Sequence, residues 1–535
     1  MEHPSTANTS FSDASSWTKD LQAANNESSM SLIFSSNGAD SSIPNSGFVM
    51  KLAVVASMSG LLFGYDTGVV SGCIIFLRGY MQLSDLQVEI VVASTILSAA
   101  ISAALGHHLL DHYGRKATLM VASCVFVIGS LIMACAIGGG NHGYSMLVMG
   151  RIVVGGAIGL ASDAGPLYIS ECAPQKLRGS LTTLFNVAVV GGQVFASIVC
   201  GCLSYLPPTY NWRWMMALGA VPALMQMAGF MMLPLSPTWL VFQGRTEEAE
   251  AVLRKIRAAP STDDTENDEV VQELNDIIEE NEMAKKGKHV HLLDLWLKNP
   301  PIRRAMLLGC SLWAVSQLAG INTIMYYGAS IVRRTGIEGG KSFDIWITVP
   351  LNTMQLIGIC VCYAIIDKKG RRSTLLTSML FVGIGLFLIG LGFAMDSPIT
   401  TVFAMCLYLF AFGVGLSTMP YTMNSEIYPS EYRGLCVSQA TGVFWFTNFL
   451  VSVTFLTLAH LLTNAGVFFL YAGIVAISGI AFYRYVPETS GLSLHQIQGL
   501  FEGVPAADNK PLSPTNNGYG ATSSVLVANS GVEIV

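Results

Sequence analysis

The chain is short of charge. Only 12 % of its 535 residues are Asp, Glu, Lys or Arg, against about 25 % in ordinary soluble domains. Hydrophobic residues make up 52 %, which excludes a simple soluble domain and points to an integral membrane protein. The net charge of −6 resides in loops and a central linker, and no nucleic-acid-binding motif appears. The eleven cysteines lack metal spacing: Cys200/Cys202 and Cys360/Cys362 match no zinc pattern. In apolar segments such thiols act as small hydrophobes, so neither a metal site nor a disulfide framework is expected. There is no nucleophile with its base and no phosphate loop. Gly138-Gly139-Gly140 reads as an outer turn, so the reading is not an enzyme and has no cofactor. The first 46 residues carry Ser, Asn and Asp but no apolar run, hence no expected cleaved leader.

What is present is a series of apolar runs of membrane-spanning length. They fall near 50–73, 88–110, 117–138, 144–168, 180–205 and 214–236, then near 305–330, 345–366, 373–395, 400–425, 436–460 and 465–486. Between the two sets of six, residues 244–300 are charged and amphipathic, predicting two or more short surface helices. The expected division is a disordered N-terminus over 1–49, a six-helix bundle over 50–243, a helical linker over 244–303, a second bundle over 304–487 and a polar, Gly/Ser/Asn-rich tail over 488–535, expected to be disordered beyond Glu488.

Basic residues orient the chain. With both termini in the cytoplasm, every Lys and Arg lies on the inner side except Arg78, Arg213, Arg333, Arg334, Lys341 and the intramembrane Arg151. The sequons at Asn8 and Asn26 would then stay unglycosylated. The tail ends Glu533-Ile534-Val535, a possible ligand for a C-terminus-binding domain, with a free tail as the alternative.

The two sets of six are related. Asp111-x-x-Gly114-Arg115 recurs as Asp367-x-x-Gly370-Arg371, and Glu171 seven residues before Arg178 recurs as Glu426 seven before Arg433. Offsets of 256 and 255 residues give one repeat period. Parallel six-helix repeats with a substrate site between them are the plan of alternating-access transporters. Asp111, Arg115, Glu171, Arg178, Asp367, Arg371, Glu426 and Arg433 are therefore read as gating ion pairs, with plain positive-inside anchoring as the alternative.

One stretch stands out within the first run. Gly60, Gly64, Gly68 and Gly72 recur every fourth residue and share a helix face suited to close packing. Beside them Asp66 places a carboxylate in the span, at a penalty of several kcal/mol unless it is paired, protonated or wet. It reads as a protonatable transport residue or as a structurally paired carboxylate.

These motifs, with Gly64-Tyr65-Asp66-Thr67, Gly150-Arg151, Pro166-Leu167-Tyr168-Ile169-Ser170-Glu171, Gln317-Leu318-Ala319-Gly320-Ile321-Asn322 and Pro487-Glu488-Thr489, resemble the sugar porter family of the major facilitator superfamily over about 50–501. Gly191-Gly192-Gln193, Asn322 to Tyr327 and Asn424 to Pro429 are most similar to its proton/myo-inositol symporters. The resemblance implies an all-α membrane protein of twelve transmembrane helices in two six-helix pseudo-repeats, the major facilitator fold. It implies proton-coupled symport of a cyclic polyol, with H⁺ as coupling ion, in the lipid bilayer of the plasma membrane. A facilitative hexose uniporter and a non-transporting nutrient receptor are the alternatives.

Position by position, the resemblance makes Asp66 the proton carrier and Arg151 its partner. A guanidinium stays charged, so contact keeps Asp66 ionised and separation favours proton uptake. The substrate contacts fall on Gln193, Gln317, Asn322 and Gln355, with Tyr421 and Trp445 as aromatic walls and Asn448 one turn further. Amides suit a polyol because they both donate and accept; for any single amide the alternative is an interhelical hydrogen bond. The chain departs from the family at Ser316, Val187 and Tyr421, where Gln, a polar residue and Trp are usual. Pro234-Leu235-Ser236-Pro237-Thr238 lacks both charges of the usual motif, predicting a weaker inner gate in the first half. Asp163 is an added carboxylate, either a second titrating site or a group at the cavity edge.

Overall fold

The computed structural model describes residues 46–136, 141–174, 177–257, 269–287, 292–336, 339–429, 431–492 and 494–502. The sequons, the Gly138–Gly140 turn, the chain ending and the disorder expected over 1–45 and 503–535 lie outside them.

The described residues form helices and no strand. The first half comprises α1 (Ser46–Met81), α2 (Asp85–Tyr113), α3 (Arg115–Ala134), α4 (Asn141–Cys172), α5 (Arg178–Leu203), α6 (Asn211–Ala217) and α7 (Ala220–Met232). Then comes α8 (Pro237–Phe242), which precedes the expected linker, and within the linker α9 (Thr246–Arg257), α10 (Glu269–Gly287) and α11 (Leu292–Lys298). The second half contains α12 (Pro300–Leu318), α13 (Ile321–Arg334), α14 (Gly340–Lys369), α15 (Arg371–Ala394), α16 (Pro398–Ala411), α17 (Met419–Glu426) and α18 (Arg433–Tyr485), followed by α19 (Leu494–Glu502).

Among the described residues, eleven helical stretches are long and apolar enough to span a membrane. The twelfth is inside α18. Its 53 residues would reach about 80 Å as one rod, more than twice the hydrocarbon thickness. The chain breaks helical geometry at Thr463, with φ 67° and ψ 165°, and runs back: Phe469 meets Gly390 while Tyr483 meets Arg372, so the second limb lies antiparallel to α15.

Two expectations are corrected. The first helix begins at Ser46, inside the segment read as disordered, because Val49, Leu52 and Ala53 are buried against the bundle. The tail does not lose structure at Glu488. In α19, Ile497 and Phe501 are buried, and Arg304 donates to the Phe501 carbonyl at 2.9 Å.

The α1 glycine stripe packs on α5. Cβ atoms added at Gly60, Gly64, Gly68 and Gly72 would strike Phe185, Val189, Ala196 and Cys200 in turn, so the four-residue spacing is a backbone-to-backbone seam. The halves are joined at mid-depth and on the face away from the linker. Ser71 Oγ accepts from the Ala329 N–H at 3.0 Å, and Asn352 donates to Ser197 at 2.8 Å. Ile399 and Met232 are among the large apolar side chains directed outward, as lipid contact demands.

Candidate functional site

The buried charge pair is present. Arg151 Nη1 on α4 lies 2.6 Å from Asp66 Oδ1 on α1, with side chains 0 % and 3 % exposed. Arg151 Nε also donates to the Val91 carbonyl of α2 at 3.2 Å, so three helices converge on one guanidinium. Its Nη2 is buried without a protein partner. The glycine seam brings α1 close enough to α5 for Gln193 Nε2 to donate to Thr67 Oγ1 at 3.3 Å. Thr67 follows Asp66 directly, so a candidate substrate amide is bonded to the residue next to the charge pair.

The second half supplies its amides by breaking helices. Gly320 has φ +79°, a left-handed value that favours glycine, and an added Cβ would meet the Tyr471 ring. This break separates α12 from α13 and sets Gln317 and Asn322 side by side, the Asn322 amide donating to Gln317 Oε1. The Ala319 carbonyl is recovered by the Tyr408 hydroxyl at 2.9 Å, as irregular backbone at membrane depth requires. Between α16 and α17 the chain widens over Phe412–Leu416, where Ser417 N–H reaches back five residues to the Phe412 carbonyl at 2.9 Å. Ser378 Oγ repairs that turn, donating to the Ala411 carbonyl and accepting from Leu416 N–H. Gly413 lets it lie directly on the Gln355 backbone.

Several polar atoms around the site have no protein partner: Gln193 Oε1, Gln355 Oε1, Trp445 Nε1 and Asn448 Nδ2. They are fully buried, in a setting where unmade hydrogen bonds are expensive (about 1–3 kcal/mol each). Asn448 Oδ1 accepts from Ser452 at 3.2 Å. Asn448 also lies beside the Tyr326 hydroxyl, itself within electrostatic reach of Asp66 and Arg151. Tyr421, 38 % exposed, begins an aromatic chain: its ring lies 4.4 Å from Trp313, which is 4.8 Å from Phe444, which is 5.0 Å from Trp445, which is 5.7 Å from Phe63 of the first half.

Sequence reasoning missed Asn352, whose Nδ2 also approaches the Gln193 carbonyl at 3.4 Å. Its signal was there, one helical turn before Gln355. Trp313 stands similarly one turn before Gln317, and Phe63 had no signal. Asp163 is half-buried and makes no hydrogen bond or ion pair among the described residues. It lies beside Gly106 and within electrostatic reach of Tyr421, at the margin between the halves.

The repeated motifs form two related clusters on the linker face. In the first half Arg115 meets Glu171 at 2.8 Å and Asp111 at 4.0 Å; in the second, Arg371 meets Glu426 at 3.3 Å. Neither the Glu171 nor the Glu426 pair crosses between halves. Arg178, expected in the layer, starts α5 and is exposed with no ion pair among the described residues, because Arg115 already occupies Glu171. Arg433 is half-buried, with Glu280 of the linker and Arg178 in electrostatic reach. The Asp367 side chain lies outside the described residues. Ser236 donates to Glu171 at 2.5 Å as Thr489 does to Glu426 at 2.6 Å. Leu235 stands where Glu488 caps the backbone N–H groups of Arg371 and Arg372, at 2.8 and 3.1 Å.

A profile of the family described as "Sugar (and other) transporter" matches residues 52–501. The chain is 33 % identical over 544 residues to the proton myo-inositol cotransporter of Homo sapiens, covering 85 % of this chain and 82 % of that one. It is 32 % identical over 459 residues to the galactose-proton symporter of Escherichia coli K12, covering 85 % and 94 %. Among solved structures, the xylose transporter XylE from E. coli, in a partially occluded inward-open conformation, matches with TM-score 0.71 at 26 % identity, covering 84 % and 100 %.

Proposed function

Because the chain belongs to the sugar transporter family, we propose that it is a proton-coupled symporter moving a cyclic polyol, myo-inositol first, by alternating access. The linker face is the cytoplasmic side, the membrane is the plasma membrane, and the halves over 50–243 and 304–487 rock about the site between them. The observation that carries this reading is the contact of Thr67, next to the Asp66–Arg151 pair, with Gln193. Substrate engaging Gln193 pulls on the segment that holds the carboxylate. A proton on Asp66 removes the charge that Arg151 needs, loosens α1 from α4 and lets the halves exchange access. Gln317, Asn322, Gln355 and Asn448 then bind ring hydroxyls, while Tyr421 and Trp445 cover the apolar ring face.

A hexose is the second reading, favoured by the similarity to the galactose-proton symporter. Radiolabelled uptake of a panel of inositols and hexoses at two outside pH values decides between them. Inositol uptake should rise as the outside is acidified. Hexose uptake with that pH response would move the substrate, and uptake indifferent to pH would remove the coupling.

A further inference from the structure

On the face away from the linker, α2 and α18 meet through side chains that the transport reading leaves unused. Asp85 and Glu89 lie one turn apart on α2; Thr457 and His460 lie three residues apart on α18. Glu89 is 1 % exposed and pairs with no cation among the described residues. Its Oε1 accepts from Thr457 N–H at 3.0 Å, and Thr457 Oγ1 lies 3.3 Å from both carboxylate oxygens. Toward the surface, Asp85 takes His460 Nε2 on one oxygen and Arg78 on the other. Arg334, at the end of α13, donates to Asn464 at 2.8 Å and acts on Asp85 electrostatically. The charged groups facing His460 are therefore Asp85 and Glu89 from α2, Arg78 from α1 and Arg334 from α13.

We propose that Asp85, Glu89, Thr457 and His460 form a proton-responsive latch holding the two halves together on this face. Every one of these α2–α18 contacts must break when the halves part there, as alternating access requires. Glu89–Thr457 is its buried, fixed part. Asp85–His460 is its variable part, because an imidazole can be neutral or carry a proton. An imidazolium–carboxylate hydrogen bond is about twice as strong as a neutral one, so acid on this face tightens the latch. His460 is 64 % exposed, which keeps the effect modest. Acidification should shift the closed-to-open ratio about two- to five-fold, the range of exposed ion pairs. These are positioning residues with no hydrogen bond to the expected substrate contacts or to Asp66; Glu89 lies two residues before Val91, whose carbonyl takes Arg151.

The test is a distance measurement on the purified chain. Spin labels on unnatural amino acids at Tyr210 and Ile399 report separation on this face by pulsed electron resonance, at about pH 7.5 and about pH 5.5. In an Asp66→Asn background the closed population should rise on acidification, and adding His460→Gln should abolish the rise. Thr457→Val should lower the closed population at both pH values and leave the pH response standing. A response that survives His460→Gln, or is absent before it, overturns the proposal. If Asp66→Asn does not fold, the wild-type chain serves: His460→Gln must shrink its response, and an unchanged response is equally decisive.

Discussion

The two halves descend from one plan and solve the midplane differently. In the first half α1 and α4 run unbroken past the site, and what they bring there is a charge pair, Asp66 with Arg151. In the second half the seventh and tenth spans are interrupted, at Gly320 and over Phe412–Leu416. Those breaks bring amides and an aromatic rim. An unbroken helix hides its backbone and suits a buried ion pair that tolerates no stray water. A broken one exposes polar groups and is permitted only beside a cavity or protein partners, which suits recognition of hydroxyls. On the proposed function, this difference is a division of labour: coupling in the first half, recognition largely in the second, with Gln193 bridging them.

The largest test of that division is Asp66→Asn. Proton dependence of uptake should be lost, while substrate still binds through the second half. Removing one member of a buried pair costs about 3–5 kcal/mol, so surface expression must be measured alongside. Unchanged proton dependence would move coupling elsewhere, with Asp163 the next suspect. On the recognition side, Asn322→Ala should raise the substrate KM about ten- to hundred-fold, as loss of a buried hydrogen-bond partner does (about 1–3 kcal/mol), with the pH response intact. An altered pH response there would blur the division.

A smaller effect sharpens the comparison at the linker face. Glu488 caps two helix-terminal N–H groups, and the first half has Leu235 instead. Glu488→Leu should lower thermal stability by an amount typical of charge at a helix N-terminus, about 0.3–2 kcal/mol. Leu235→Glu should add stability in the first half; thermal unfolding of both variants checks the pair. The smallest expected effect is Tyr421→Trp, which restores the family's usual residue in the half-exposed rim. It should change KM by a few-fold with expression intact, and no change for any substrate would take Tyr421 out of the site.

Much of this was legible in the sequence, for physical reasons. The glycine period dictated the α1–α5 seam, since only glycine allows backbones so close. The Asp111/Asp367 and Glu171/Glu426 repeats announced two related halves and their Arg partners. What escaped was whatever depends on a break in regular structure. Hydropathy alone separates the last two spans but not the Thr463 reversal. It reads the tenth span as one helix although it widens over Phe412–Leu416. The first-half gate looked weakened by its missing charges, yet Ser236 retains the bond to Glu171 because a hydroxyl donor is enough there. Asn352 stands one helical turn before Gln355, a visible signal, but no pattern within one helix reveals its partners on the other half, Ser197 and Gln193.

The central claim is that the buried carboxylate of the first half carries the proton that drives polyol across. Voltage-clamped cells expressing the chain, given myo-inositol while the outside is acidified step by step, test it most directly. The account predicts an inward current that appears only with substrate, grows as outside pH falls and vanishes in Asp66→Asn. Inositol uptake without current, or a current as large in Asp66→Asn as in the wild type, would contradict it.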